Sequence, residues 1–219
     1  MQERLSRFVG DRTRMLAAIG HDLRTPITAL KLRAELVDDA DNRERMRATL
    51  DDMQRMTEAT LSFAGDDAGD EPSRVVDLAS LVASVAADRA DIGEDVVFEE
   101  AERLPYPCRQ LALRRALGNL VENAVRYAGA ARIRLEARKE GPRIVVEDRG
   151  PGIPEDRLEE VFKPFVRLEE SRSRETGGSG LGLAIARSLV LAHGGALTLG
   201  NRDGGGLSAT IELPPGAGA

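Results

Sequence analysis

The stretch His21-Asp22-Leu23-Arg24-Thr25-Pro26 places an imidazole, a carboxylate and a hydroxyl side by side. A neutral imidazole is a nucleophile at neutral pH, and a neighbouring carboxylate can orient it or take its proton. The stretch lies in an amphipathic helical pattern. Leu23, Ile27, Leu30, Ala34 and Val37 recur at steps of four and three, the seam of a helix that packs on helices. At about 100° per residue, His21 stands roughly 200° from both Ile19 and Leu23, off that seam and toward solvent. Thr25 is one turn further on and shares its face. Pro26 cannot donate to the Asp22 carbonyl, so a bend is expected there. A lone histidine of this kind would read equally as a solvated helix residue.

Four later stretches carry phosphate and base chemistry. In Leu117-Gly118-Asn119-Leu120-Val121-Glu122-Asn123-Ala124-Val125-Arg126-Tyr127 two amides are one helical turn apart, with Arg126 and Tyr127 a turn further. Amide oxygens are hard ligands suited to Mg²⁺, although asparagines also cap or solvate helices. Asp148, Gly150 and Gly152 sit at a strand end, where a carboxylate suits a purine amino group and glycines permit close approach; the same pattern is also an ordinary turn. Val161-Phe162-Lys163-Pro164-Phe165 reads alone as core packing. After it, Val166 to Thr176 is polar and rich in Arg and Glu, with Arg172 or Arg174 placed to meet a phosphate or simply to be solvated. Gly177-Gly178-Ser179-Gly180-Leu181-Gly182 runs straight into a helix, so backbone amides can face phosphates at the positive helix end.

The elements that must position these residues fall into two groups. Met1 to about Val37, and a second pattern through Met46, Leu50, Met53, Met56, Thr60 and Ala64, predict two helices joined at Asp38–Asn42, a turn that can also cap the second helix. One hairpin buries little; two make a four-helix bundle, so a homodimer is expected. Residues 65–74, acidic and containing Pro72, predict a linker between a unit at 1–64 and another at 75–219. Within the second unit helices are expected at Leu78–Ala90, Gln110–Tyr127 and Leu181–Ala192. Strands are expected at Val96–Glu99, Arg132–Arg138, Arg143–Asp148, Ala196–Leu199 and Leu207–Leu213. That mixture argues an α/β sandwich, one sheet with helices on one face. His193 ends the last helix before Gly194-Gly195 and reads as a structural cap.

Composition excludes several alternatives. Hydrophobic residues make up 42% of the 219 and aromatics 3%, so the core must be aliphatic and Ala-rich. A net charge of −6 argues against a general nucleic-acid surface. Cys108, the one cysteine, has no disulfide partner and fits a reducing cytoplasm as a small buried residue. No run approaches the ~20 apolar residues of a membrane span.

Taken together, His21-Asp22-Leu23-Arg24-Thr25-Pro26 resembles the phosphoacceptor box of the sensor histidine kinases of two-component signalling. In the same order along the chain, the Asn119–Asn123 stretch resembles the family's N box and the Asp148 turn its G1 box. Val161–Phe165 then resembles its F box, and Gly177–Gly182 its G2 box. The resemblance covers nearly all of residues 1–213, with the osmosensor-like branch nearest in flavour. It implies an α+β, two-domain chain: a dimerisation and phosphotransfer hairpin, then a Bergerat-type ATP-binding domain shared with gyrase and the mismatch-repair ATPases. It further implies that ATP binds with Mg²⁺ on Asn123 and Asn119. Asp148, Gly150 and Gly152 would lie at the adenine; Arg126, Tyr127, Phe165, Gly178, Gly180, Leu181 and Gly182 would line the nucleotide. The γ-phosphoryl would pass to His21 with Asp22 as base, then to an Asp of a response regulator. Asp22 to Thr25 implies phosphatase activity as well, Thr25 positioning a water. An ATPase of the gyrase class would not need His21, and a non-catalytic scaffold would be expected to lack Asn123, Asp148 or the glycines. Cys108-Arg109-Gln110 departs from the Asp-bearing turn common in relatives. Met1–Leu5 enters in helical register, as in a piece of a longer inner-membrane sensor whose cytoplasmic portion this would be.

Overall fold

The computed structural model describes Leu23 and residues 25–64, 71–168 and 180–216. His21, Asp22, the lid arginines Arg172 and Arg174, and Gly178 lie outside the described residues, as does most of the expected linker.

Helix α1 (residues 25–34) and helix α2 (Ala40–Ala64) form the expected hairpin. Asp39 starts α2: its Oδ1 accepts the amides of Asp41 at 3.0 Å and Asn42 at 3.1 Å, satisfying donors that a helix start leaves open. Lys31 ties the two helices across the hairpin, 2.7 Å from Gln54 Oε1 and 2.5 Å from Asp51. Ile27, Ala34 and Leu50 are buried between the helices. Leu23 and Leu30, on the same seam, stay exposed.

The second unit is built on a five-stranded sheet of β2 (Asp95–Phe98), β4 (Ala130–Glu136), β5 (Arg143–Glu147), β7 (Leu207–Glu212) and β6 (Ala196–Asn201), in that spatial order. β2 is parallel to β4; every other neighbour is antiparallel. Helices α3 (Leu78–Ala90), α4 (Gln110–Ala128) and α5 (Gly182–Ala192) supply the rest of a single core. Strand alternation sends Ile133, Ile144, Val146, Ala209 and Ile211 into it. They meet Leu113, Leu117, Leu120 and Val121 of α4 and Ile185, Leu189 and Val190 of α5. Alanines 112, 116, 124 and 186 fill the tight positions, as the scarcity of aromatic residues requires.

One element departs from expectation. β1 (Arg74–Asp77) and β3 (Pro105–Cys108) form a separate two-stranded antiparallel sheet, so the unit contains two sheets rather than one. Pro105 and Pro107 erase the strand signal in the sequence, because proline cannot donate to a ladder; both are tolerated in a two-stranded ribbon with open edges.

The ribbon delivers the chain to α4, whose N-cap residue Arg109 makes no side-chain capping bond. The cap comes from far away. Glu71 accepts the amide of Leu111 at 2.8 Å and of Ala112 at 3.1 Å, placing a carboxylate at the positive end of the helix. His193 completes the junction: Nδ1 faces the Leu189 carbonyl at 2.7 Å and Nε2 accepts the Arg109 amide at 3.2 Å. The histidine thus joins the end of α5 to the start of α4, the structural role expected of it.

Burial, reinforced by the Glu71 charge, pushes the Cys108 thiol from 9.0 up to about 11. Native protein should therefore resist thiol-specific reagents at pH 7–8 and react only on unfolding. The folded state keeps a proton that the unfolded chain surrenders from 9.0 upward, so stability should fall as pH rises from 9.0 toward about 11, and Cys108→Ala should flatten that fall. Glu71→Ala should lower unfolding free energy by about 1 kcal/mol in denaturant titration; no change would show that water replaces the cap freely.

Candidate functional site

The expected site residues converge where α4, the end of β5 and the start of α5 meet. An open cleft is lined by Leu120, Asn123 and Ala124 of α4, by Val146 and Asp148 at the end of β5, and by Leu183 of α5. Leu199 of β6 with Leu207 and Ala209 of β7 close it. Its walls are aliphatic, with Asn123 and Asp148 as the polar side chains, the pattern of a site that orients a flat apolar ring through few hydrogen bonds.

Asp148 is the one buried charged residue among those described. Its position follows from sheet register. β5 and β7 pair through Glu147 and Ser208, and the Asp148 amide continues the ladder to the Leu207 carbonyl at 2.9 Å. Oδ1 accepts the amides of Gly150 at 2.8 Å and Leu207 at 3.0 Å. Those bonds hold the carboxylate at the cleft and leave Oδ2 for a donor such as an exocyclic amine. Gly150 packs under α4, where a Cβ would come 3.2 Å from the Tyr127 carbonyl.

α4 is amphipathic, burying Leu113, Ala116, Leu117, Leu120, Val121 and Ala124. Asn119 and Asn123 sit at the border of that face. Asn119 Nδ2 is buried without a hydrogen-bond partner. The same side chain lies 3.9 Å from the Cβ position of Gly182, the first residue of α5, so the N-box and G2-box stretches adjoin. A buried donor left open costs about 1–3 kcal/mol, and a phosphate oxygen at the head of α5 would satisfy it.

The remaining expectations divide. Arg126 is paired within its own helix to Glu122 at 2.5 Å, with Arg89 3.5 Å from the same carboxylate. Tyr127 is about half exposed, and neither residue lines the cleft. Phe165 is exposed with a left-handed φ of 65°, and its amide donates to the Gly180 carbonyl at 2.9 Å. That bond brings together the two ends of the lid segment. Leu181 is fully buried behind them. Thr25 is exposed on α1.

Three residues outside the motifs shape the site. Arg187 of α5 lies 4.4 Å over the Phe162 ring and 2.8 Å from Glu159, fastening the short turn Glu160–Phe162 to α5. Asn201 and Arg202 grip the turn after Asp148. Nothing local in the sequence marks them, because each contact spans more than twenty-five residues.

Asn119→Ala removes an unpaired donor, so it should change unfolding free energy by no more than about 0.5 kcal/mol. It should weaken a non-hydrolysable ATP analogue about tenfold, the size of one net hydrogen bond. Calorimetry and denaturant titration read the two separately; large destabilisation with intact binding would make the amide structural.

Comparison with known proteins agrees in both units. Residues 11–69 match the His Kinase A (phospho-acceptor) domain, and residues 108–217 match the histidine kinase-, DNA gyrase B- and HSP90-like ATPase family. Sensor histidine kinase GtrS of Pseudomonas aeruginosa is 42% identical over 215 residues, taking in 98% of this chain and 44% of GtrS. Sensor histidine kinase CpxA of Escherichia coli is 34% identical over 223 residues, 96% of this chain and 48% of CpxA. The chain thus spans about half the length of the curated relatives it matches. Full-length ShkA, solved with AMPPNP, superposes with a TM-score of 0.74 at 28% identity, over 94% of this chain and 47% of ShkA. The mycobacterial sensor histidine kinase MprB gives 0.57 at 30% identity, over 65% and 97%. Among the described residues no helix is long and apolar enough to cross a membrane. With a phosphoacceptor-type helical hairpin leading into an ATPase-type α/β unit, the chain belongs to the sensor histidine kinase family.

Proposed function

We propose that this chain is the catalytic portion of a sensor protein that transfers the γ-phosphoryl of ATP to His21 and from there to an aspartate of a response regulator. The observation that carries the reading is the convergence of Asn123 and Asp148 on one aliphatic cleft, with the open Asn119 amide beside the head of α5. This cleft belongs to a chain whose separate hairpin bears the phosphoacceptor box.

In this reading Asp148 Oδ2 accepts from the adenine amine. Leu120, Leu183, Leu199 and Leu207 cover the ring. Asn119 Nδ2 donates to a phosphate oxygen. The donor set suits Mg²⁺, which Asn123 and Asn119 would hold by amide oxygen and which would neutralise charge on the phosphates. A ring nitrogen of His21 attacks phosphorus; a P–N bond forms as the bond to the ADP oxygen breaks, and Asp22 takes the ring proton. Exposed Leu23, Leu30, Leu32 and Leu36 support pairing of two hairpins into a four-helix bundle. Thr25, open to solvent, is placed to hold a water during dephosphorylation of the regulator. Membrane anchorage of the whole sensor, with this portion in the cytoplasm, is part of the same proposal and accords with the sensor proteins it matches.

Incubation with γ-labelled ATP and Mg²⁺ should give label that acid removes and alkali spares. His21→Gln should abolish it and His193→Gln should not. Thr25→Ala should keep autophosphorylation while losing most regulator dephosphorylation. Nucleotide turnover without protein label would make the chain an ATPase of the gyrase class, and label persisting on His21→Gln would place the acceptor elsewhere.

A further inference from the structure

The turn after Asp148 has no sheet partner of its own, yet it is held at both ends by consecutive residues of the β6–β7 hairpin. Asn201, the last residue of β6, offers its amide edge to Ile153: Oδ1 accepts the Ile153 amide at 2.9 Å and Nδ2 donates to the Ile153 carbonyl at 2.6 Å. One side chain thus supplies the pair of bonds that a neighbouring strand would. Gly152, with φ +74°, passes so close that a Cβ would stand 2.6 Å from Asn201 Oδ1. Arg202 secures the other end, donating from Nη1 to the Asp148 carbonyl at 2.7 Å, with Nη2 3.5 Å from Glu147. Its own amide is fixed to the Gly206 carbonyl at 3.0 Å. Gly206, φ +102°, lies against Asp148 where any Cβ would meet the Asp148 carbonyl oxygen at 2.1 Å. Neither Asn201 nor Arg202 lines the cleft.

We propose that Asn201, assisted by Arg202, is a positioning residue for base recognition: it locks residues 148–153 so that Asp148 presents a fixed carboxylate to adenine, and thereby helps set the preference for adenine over guanine nucleotides without touching either. The inference rests on the reading that Asp148 binds the base amine. Guanine carries a carbonyl where adenine carries that amine, so a fixed carboxylate attracts one base and repels the other. A turn freed from Asn201 occupies the competent arrangement only part of the time, and apparent affinity falls by that fraction. Adenine then loses its bond while guanine loses its repulsion. General loosening of the domain would weaken both nucleotides alike, so the ratio separates positioning from mere structure.

The test is calorimetric titration of the whole chain with non-hydrolysable ATP and GTP analogues, using wild type, Asn201→Ala, Arg202→Gln, Asp148→Asn and the Asn201→Ala/Asp148→Asn double variant. Asn201→Ala should raise the Kd of the ATP analogue about tenfold, as two weak net hydrogen bonds or a turn competent about a tenth of the time would give. It should shrink the ATP-to-GTP preference by a similar factor, and the double variant should bind no worse than Asp148→Asn alone. Equal weakening of both nucleotides by Asn201→Ala, or none, while Asp148→Asn collapses the preference, would overturn the inference and leave the Asp148 reading standing. A preference that survives Asp148→Asn would instead refute that reading, and the inference with it. If Asn201→Ala does not fold, Arg202→Gln puts the same question through the Asp148 carbonyl, with the same outcomes deciding it.

Discussion

Everything in the nucleotide cleft depends on the point where β5 runs out of β7. The Asp148 amide makes the last ladder bond, to the Leu207 carbonyl, and its carboxylate turns back to accept the Leu207 amide. Backbone and side chain of one residue therefore close on both polar groups of another. β5 lies at the centre of the five-stranded sheet, between β4 and β7, with Ile144 and Val146 buried under the helices. A slip of one residue would expel that pair from the core and carry the carboxylate to the wrong face. The aliphatic core thus sets register, and register sets the charge. Burying that charge is tolerable because its Oδ1 is fully engaged by backbone donors.

The facing wall is α4, and its placement is fixed by contacts at its ends as much as by its apolar face. Glu71 and His193 hold the N-terminal turn; Gly129, in the left-handed conformation, ends the helix with its amide on the Val125 carbonyl. Axial sliding would cost those bonds, while rotation would cost the burial of Leu113, Leu117 and Val121. Asn119 and Asn123 are thereby held at a constant height opposite Asp148. His193 also joins α5 to this frame, so the two helices that flank the phosphate end share one anchor. The departure at Cys108-Arg109-Gln110, where relatives carry an Asp, has a physical counterpart: the missing local cap is replaced by a carboxylate forty residues upstream.

The features legible in the sequence were local or periodic. α3 is found over the residues its pattern predicts, and the ends of the other helices and strands of this unit shift by at most two residues. The motif residues Asn123 and Asp148 could be named because their types and spacing resemble a known family. The β1–β3 ribbon was hidden by its prolines. Glu71 read as one more linker acid, Asn201 as a strand-end residue and Arg202 as part of a glycine-rich turn. Each acts on a backbone group far away in sequence, and a long-range hydrogen bond leaves no periodic trace. Arg126 shows the opposite limit: its motif position suggested a ligand contact, while Glu122 one turn earlier provides a partner the motif does not mention.

The polar groups of the site separate by whether the fold already satisfies them. Asp148 Oδ1, both ends of the Asn201 amide and the Arg202 guanidinium are engaged, and their work is to hold shape. Asn119 Nδ2 is buried and open. Such a donor opposes folding, and in an otherwise well-satisfied core it persists where something outside the chain completes it. Satisfied groups next to an open one are what preorganisation requires. The cost of arranging the site is met during folding, and the surplus appears only when a ligand of matching chemistry arrives. A phosphate oxygen beside the first turn of α5 matches that opening in charge, in hydrogen-bonding sense and in its distance from a carboxylate set to meet a base.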